Sequence, residues 1–479
     1  MKDNSLSKNY LYNLFYNVAV GVAPLVTTPY LSRVLGPDGI GQYSFAQSIV
    51  TYFALFAALG TSQYGQRRIA YLQGQKQKQV QAFWEIANLR FLFTAIAYII
   101  YVFAILRNCE PPILYWAVSL DILYVGVDIS WYLWGKNSFS LVSICGCICK
   151  IGYIVFVFLC VKTPEDVAVY AILFSGANMI GCILQWYSIL KTDSFRAWKP
   201  YCCIKKHLKP SLSLFTVQAA TTIYTVLDKT MIGLITASDV QNGYYEQSQK
   251  LVRMVIMLVT AVSPVIATTI ATHWTNKDLN GIQQAMEQSF SLVLGLSIPC
   301  CLGLILIAKR FVPFYYGNGF LEIIPMIYIL AFLIPAVSCS SALGIQYFIP
   351  SGQEQHYRHA VIFSAVINVF LNSILIPNFS AIGASVASVL AEWSGTIWMF
   401  VIIRNQISLI PIMKQAIRYV LYGLVMFNAG ALLSLILGQK VLSLIILVII
   451  CVASYGGSLF ITHDPLLKIL FYHRKNKTR

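Results

Sequence analysis

Apolar runs of about twenty residues recur along almost the whole chain, and no other feature restricts its fold as strongly, because each run is the length an α-helix needs to cross a hydrocarbon layer. Dividing the sequence at its Lys/Arg, Pro and Gly breaks gives fourteen of them, roughly 10–32, 39–62, 84–106, 112–133, 139–160, 167–190, 210–235, 244–270, 287–308, 322–349, 359–376, 380–403, 415–436 and 441–461. With 58% hydrophobic and 11% charged residues, a soluble globular domain is excluded, and the chain reads as an all-α polytopic membrane protein. The first run continues to about Ser32, too long for the core of a cleavable signal peptide, so it is expected to remain as the first span. An even number of spans puts both termini on one side. That side holds 22 Lys and Arg in its connections against six on the other, which predicts cytoplasmic termini.

Two of the runs carry charge where lipid disfavours it. In the seventh, Gln218, Thr221, Thr225 and Asp228 with Lys229 follow one another at three- and four-residue steps, and so share a helical stripe. In the eighth, Glu246, Lys250, Arg253 and Thr260 form a second stripe. A charge at the bilayer centre costs at least ~2.5 to 3.5 kcal/mol, so this concentration predicts a water-filled cavity as the functional site. The first run is polar too, with Asn13, Asn17, Gly21, Pro24 and Thr28 on one stripe, and Pro24 and Pro29 predict a bend beside that cavity.

Other charges inside the spans read differently. Asp121 and Lys150 fall at similar depth in the fourth and fifth runs and are expected to form a buried pair. Asp128, nearer the cytoplasm, is a candidate for proton coupling, and Arg90 is expected to snorkel to the cytoplasmic interface. Glu392 lies close to the middle of the twelfth run, and Asn368 and Asn372 share one face of the eleventh.

The net charge of +16 resides in short loops and the tail, where it sets topology, so nucleic acid is not an expected partner. Most of the twelve cysteines lie inside apolar segments as small hydrophobes. Cys202 and Cys203 lack a second pair at zinc spacing and the six histidines include no HExxH, so no metal site and no cofactor are expected. No phosphate-binding GxxxxGK[ST] occurs, and transport driven by ATP would require a separate ATPase.

The segment 41–50 (GQYSFAQSIV), opening the second run, aligns without gaps on 243–252 (GYYEQSQKLV), opening the eighth. The offset of 202 residues spans six runs, which predicts two pseudo-symmetric six-helix bundles of parallel topology plus two C-terminal helices. The expected organisation is an N-terminal lobe at 1–190, a basic cytoplasmic linker at 191–209, a C-terminal lobe at 210–403, and a terminal pair of helices with a basic tail at 404–479.

The stretch TTPYLSRVLGPDGIGQYSFAQSIV at 27–50, with LDKTMIG at 227–233 and NGYYEQSQKLV at 242–252, resembles the polysaccharide flippases of the Wzx type, whose superfamily also contains multidrug and toxin extruders and lipid II flippases. The resemblance covers the whole chain. It implies a substrate of polyprenyl pyrophosphate bearing an oligosaccharide, moved from the cytoplasmic to the outer leaflet of the bacterial inner membrane for O-antigen or capsule synthesis, with the lipid bilayer, glycosyltransferases and a polysaccharide polymerase as partners. A pyrophosphate needs cations, for which Arg33, Lys229, Lys250 and Arg253 are the candidates; sugars need amides, hydroxyls and aromatic faces, for which Asn13, Asn17, Gln47, Gln218, Tyr244 and Tyr245 are the candidates. In lipid II flippases a sodium site is built from the seventh, eleventh and twelfth spans, and Asp228, Asn368, Asn372 and Glu392 are the residues here that resemble it.

Two alternatives compete. A drug extruder of the same superfamily keeps the fold, but the seventh and eighth runs hold three cations against two acids, which favours an anionic cargo. A membrane-embedded polymerase or glycosyltransferase would present catalytic acids or bases in a sizeable loop, and the outer connections here are short. Alternating access by two halves is the mechanism the repeat suggests.

Overall fold

The computed structural model describes residues 3–191, 204–261, 263–438 and 441–467; at 3–20, 22, 204, 217, 220, 221, 223, 224, 264 and 265 it describes the backbone alone. The helices in chain order are α1 (Asp3–Ala58), α2 (Thr61–Tyr71), α3 (Lys76–Tyr101, continued by a π turn at Val102–Leu106), α4 (Pro112–Val127), α5 (Ser130–Gly135), α6 (Phe139–Cys160), α7 (Val167–Leu190), α8 (Ile204–Thr236), α9 (Asp239–Thr260), α10 (Ser263–Thr275), α11 (Leu279–Tyr315), α12 (Ile323–Leu330), α13 (Leu333–Leu343, continued by a π turn at Gly344–Phe348), α14 (Glu354–Ile403), α15 (Ile410–Ile436) and α16 (Val441–Ile461). Among the described residues there is no strand. The chain is the all-helical membrane protein its sequence predicts.

Ten helical stretches among the described residues are long and apolar enough to cross a membrane. Two of them break internally: α1 at Gly36, whose φ of 67° is left-handed, and α14 at Ser380, with φ 49°. Glycine takes the left-handed region without a Cβ penalty, and Pro37 has no N–H to continue a ladder, so the first break is written into the sequence. Each broken stretch holds two of the expected runs. α8 and α9, which carry the charged stripes, are not among the ten.

The breaks extend the repeat beyond its ten similar residues. Leu59 (φ 44°) and Gly60 (φ 68°) separate α1 from α2, which begins at Thr61; 202 residues later α9 gives way to α10, which begins at Ser263. The break at Gly36 has its counterpart between α8 and α9, where Ala237 has φ 48° and Ser238 stands 202 residues beyond Gly36. The same interruptions recur at one offset although most side chains differ.

The chain divides into two compact units, Met1–Gly233 with Ser238–Gly243, and Leu234–Ala237 with Tyr244–Arg479. In lipid, helices gain little from hydrophobicity and associate through close packing and hydrogen bonds. Within the first unit an aromatic cluster supplies the packing: Phe83 stacks on Trp131 at 5.6 Å and meets Tyr132 edge-on at 4.9 Å, with Trp186 at 5.5 Å. Beside it Arg90 corrects an expectation. It does not snorkel; it is 3% exposed, donates to the Val125 carbonyl at 2.5 Å and to Ser62 Oγ at 3.2 Å, and pairs with Asp128 at 3.3 Å. Three partners on neighbouring segments outcompete the interface.

Within the second unit, Met286 and Phe290 of α11, Tyr347, Met399 of α14 and Tyr419 of α15 are buried in one cluster. A chain of hydroxyls and an amide crosses it: Ser289 donates to Gln346 Oε1, Gln346 Nε2 donates to Ser263 Oγ at 2.9 Å, and Ser263 meets Ser341 at 3.0 Å. The terminal helices are fastened at both ends. Arg310 of α11 donates to the carbonyls of Ser434 and Leu437 at 2.7 and 3.0 Å, placing a cation where the helix dipole of α15 is negative. Tyr419 donates to Asp464 at 2.9 Å, and Arg418 pairs with the same carboxylate at 3.0 Å.

Candidate functional site

Helix α9 has two faces. On one, Tyr245 is fully buried, with its hydroxyl 2.9 Å from Ser388 Oγ and accepting from Gln249 Nε2 at 2.9 Å. Ser248 donates to the Tyr244 carbonyl at 2.7 Å, and Tyr316 donates to the Gln247 carbonyl at 3.1 Å. The bonds to Ser388 and from Tyr316 fix the rotation of the helix about its axis. Rotation so fixed leaves Glu246, Lys250 and Arg253, four and then three residues apart, on the other face, where the first two are half-buried and Arg253 is exposed. Among the described residues Arg253 forms no ion pair. A guanidinium exposed well inside a helix of this length needs water or an anion, since lipid offers it neither. Tyr244 is half-buried and faces the Phe320 ring at 6.1 Å.

In the first unit, Asp228 of α8 is 3% exposed and Lys229 half-buried. Next to them Thr230 donates to Ser48 Oγ at 3.0 Å, and the Tyr52 hydroxyl lies 2.9 Å from Thr230 Oγ1. Asn242 Nδ2 donates to the Lys229 carbonyl at 2.9 Å. Arg33 is exposed on α1, and Gln218 is half-buried on α8. Gln47, expected at the sugar, donates to Asp121 at 2.7 Å. The four expected pyrophosphate cations are therefore divided, Arg33 and Lys229 in the first unit and Lys250 and Arg253 in the second. The side chains of Asn13, Asn17 and Thr221 lie outside the described residues, as do most of the linker 191–209 and the tail 468–479.

The residues expected to hold a coupling ion do not all come together in one unit. Asn372 Nδ2 donates to Asn368 Oδ1 at 3.1 Å, with both amides buried on α14, and half-buried Glu392 follows on the same element close to Tyr357. Asp228 belongs to the first unit, and Asp128 is the partner of Arg90.

Two clusters depart from the sequence reading. Asp121 and Lys150 form no ion pair within 4 Å among the described residues; each has found a neutral partner instead, Gln47 for the carboxylate and Asn178, at 3.3 Å, for the ammonium. Fully buried His207, at the start of α8, stands between the Tyr64 hydroxyl of α2 at 2.7 Å and the Glu85 carboxylate of α3 at 2.6 Å. A lone histidine in a basic connection gives no signal of that arrangement.

Comparison with known proteins follows the same lines. A family model described as polysaccharide biosynthesis protein matches residues 6–270. A protein of Escherichia coli (strain K12), provisionally named an O-antigen transporter, is 21% identical over 410 residues, which is 84% of this chain and 97% of that protein. A solved structure of the lipid II flippase MurJ in an inward closed conformation superposes with a TM-score of 0.77 at 16% identity, covering 96% of this chain and all of the other. An inward-facing multidrug resistance transporter of the MATE family superposes with a TM-score of 0.63 at 13% identity, covering 84% of this chain and 94% of its own. The two structures establish the fold.

Proposed function

The chain belongs to the polysaccharide biosynthesis protein family, and from that premise we propose that it is a flippase that moves a polyprenyl-pyrophosphate-linked oligosaccharide repeat unit from the cytoplasmic to the outer leaflet of the bacterial inner membrane, by alternating access. The observation that carries this reading is the α9 face of Glu246, Lys250 and Arg253, with an exposed guanidinium well inside the helix. A pyrophosphate is the anion such a face suits, because Arg offers paired donors and Lys a compact charge. The half-buried Tyr244 ring and the Gln218 amide are of the kind that sugars need, while the polyprenyl chain remains in lipid. The similarity to a protein named an O-antigen transporter supports a lipid-linked cargo. The bias of Lys and Arg toward the connections that share a side with the termini supports a cytoplasmic location for both ends. Glycosyltransferases that build the unit and a polymerase that consumes it are the partners this function requires.

The test replaces Lys250 and Arg253 singly with Gln in a host that lacks its own flippase. A lost charge-assisted contact to phosphate is worth about 1.5 to 3 kcal/mol, so surface polysaccharide should fall about tenfold or more while radiolabelled lipid-linked oligosaccharide accumulates inside. Normal export at a normal protein level sinks the assignment.

A further inference from the structure

Asp121 of α4 is 7% exposed, and a buried carboxylate costs several kcal/mol unless its oxygens are satisfied or its charge is balanced. One oxygen is satisfied: Oδ2 accepts from Gln47 Nε2 of α1 at 2.7 Å. The other is not. Oδ1 is buried without a hydrogen bond among the described residues, and so are Gln47 Oε1 of the same amide and the hydroxyl of Ser175 on α7. Ser175 is fully buried and adjoins the carboxylate, yet its geometry falls short of a hydrogen bond. Three helices thus bring buried oxygens around one carboxylate, one oxygen of which is left without a bond.

The obvious counter-ion is parked elsewhere. Lys150 of α6 lies near enough for its charge to act on Asp121, but its ammonium is bonded to Asn178 Oδ1 at 3.3 Å and sits over the ring of Phe174 at 4.7 Å, with Tyr153 at 5.7 Å. An amide oxygen and an aromatic face give the cation a seat of its own. The other ionisable groups packed around that seat are the Cys149 thiol on α6 and the phenols of Tyr43 on α1 and Tyr170 on α7, none of which carries a charge to match the carboxylate at neutral pH.

We infer that Asp121, with Gln47 and Ser175, is the seat of an exchangeable monovalent cation, a proton or sodium, for which Lys150 competes. Oxygen donors of this kind suit a small hard ion. One carboxylate with an ammonium nearby balances a single positive charge and no more, and no group of three His, Cys, Asp or Glu that would hold a divalent metal occurs among the described residues. With the cation bound, Lys150 stays on Asn178 and Phe174; with the cation gone, the bare carboxylate draws Lys150 across. Four helices of the first unit, α1, α4, α6 and α7, then respond to one ion. That the ion drives transport rests on the flippase reading; that it binds does not.

The test uses the full-length protein purified in detergent, with sodium-22 binding measured at neutral and alkaline pH and infrared difference spectra recorded on acidification. The expected result is saturable sodium binding, or, if the proton is the ligand, the carbonyl band of a buried carboxyl appearing on acidification without sodium binding; Asp121→Asn abolishes whichever signal is present. Lys150→Gln should tighten binding about tenfold, since it removes a like charge within a few ångströms of the site, and Ser175→Ala should weaken it. If Asp121→Asn fails to fold, the opposite directions of the other two variants decide. Neither signal in the wild type, signals unchanged in Asp121→Asn, or binding unchanged or weakened in Lys150→Gln would each overturn the inference.

Discussion

Gly41 and Gly243 each occupy the space that the other's neighbourhood leaves no room to fill: a Cβ on Gly41 would lie 1.7 Å from the Asp239 carbonyl oxygen, and a Cβ on Gly243 would lie 2.0 Å from the Pro37 carbonyl oxygen. Pro37 and Asp239 each precede their own glycine by four residues, so the contact is reciprocal and obeys the repeat. Backbone meets backbone here, and no flexible side chain can yield. Overpacking of this sort costs about 1 to 3 kcal/mol. Gly41→Ala and Gly243→Ala should each lower the thermal midpoint of the purified protein. The double variant should cost less than the sum of the two, because one separation relieves both clashes. Additive losses would mean that the two glycines are independent.

Arg90 and Asp128 give a second expectation. Breaking a buried ion pair strands a charge at about 3 to 5 kcal/mol, whereas replacing both partners by apolar groups is often neutral. Arg90→Met and Asp128→Leu should each reduce the yield of monodisperse protein in size-exclusion chromatography, and the pair together should restore much of it. Failure of the double variant to recover would assign Arg90 a further duty toward Ser62 and Val125.

His207 tests the joint between α2, α3 and α8. In His207→Ala, the Tyr64 hydroxyl loses its partner and the Glu85 carboxylate keeps only the Gln81 amide on its other oxygen, at about 1 to 3 kcal/mol for each group left unsatisfied. The melting transition should drop clearly, and Glu85→Gln introduced alongside should recover part of it by removing the stranded charge. Wild-type stability in His207→Ala would show that water takes its place.

Asp278 provides the pH dependence. It stands before α11 in a connection between spans, and the Gly281 backbone N–H donated to its carboxylate, followed by the His273 bond at 2.9 Å, holds its pKa below the usual value. A depressed carboxylate stabilises the fold above its unfolded pKa and ceases to do so as pH falls through the folded one. Asp278→Ala should therefore melt below the wild type at neutral pH, and the gap should close at acid pH, below about pH 4. A gap that persists into strong acid would refute the capping role.

The spans were legible because a run of twenty apolar residues admits few other interpretations, and the break at Gly36 because Pro37 follows it. The break at Ser380 falls at the boundary read between the runs 359–376 and 380–403, beside Pro377, although the serine's own φ of 49° carries no mark in the sequence. Helical spacing placed Glu246, Lys250 and Arg253 on one face, and α9 presents them so. Lateral neighbours were a different matter. Asp121 was identified as buried, but depth alone suggested Lys150 as its partner, and only the packing of α1 against α4 brings Gln47 into its place. The burial of Arg90 is hidden from the sequence for the same reason: its partners lie 28 to 38 residues away, in segments that periodicity cannot relate.

The polarity of α8 and α9 has a consequence for how the chain is made. A helix carrying Asp228 and Lys229, or one carrying Glu246, Lys250 and Arg253, partitions poorly from the translocon into lipid by itself, at ~2.5 to 3.5 kcal/mol for each charge near its centre. Each needs neighbouring helices within its own unit to shelter those charges. Residues up to Gly233, which include Asp228 and Lys229 of α8, pack with α1 to α7 in one compact unit, so the charges of α8 are sheltered by helices that precede it in the chain.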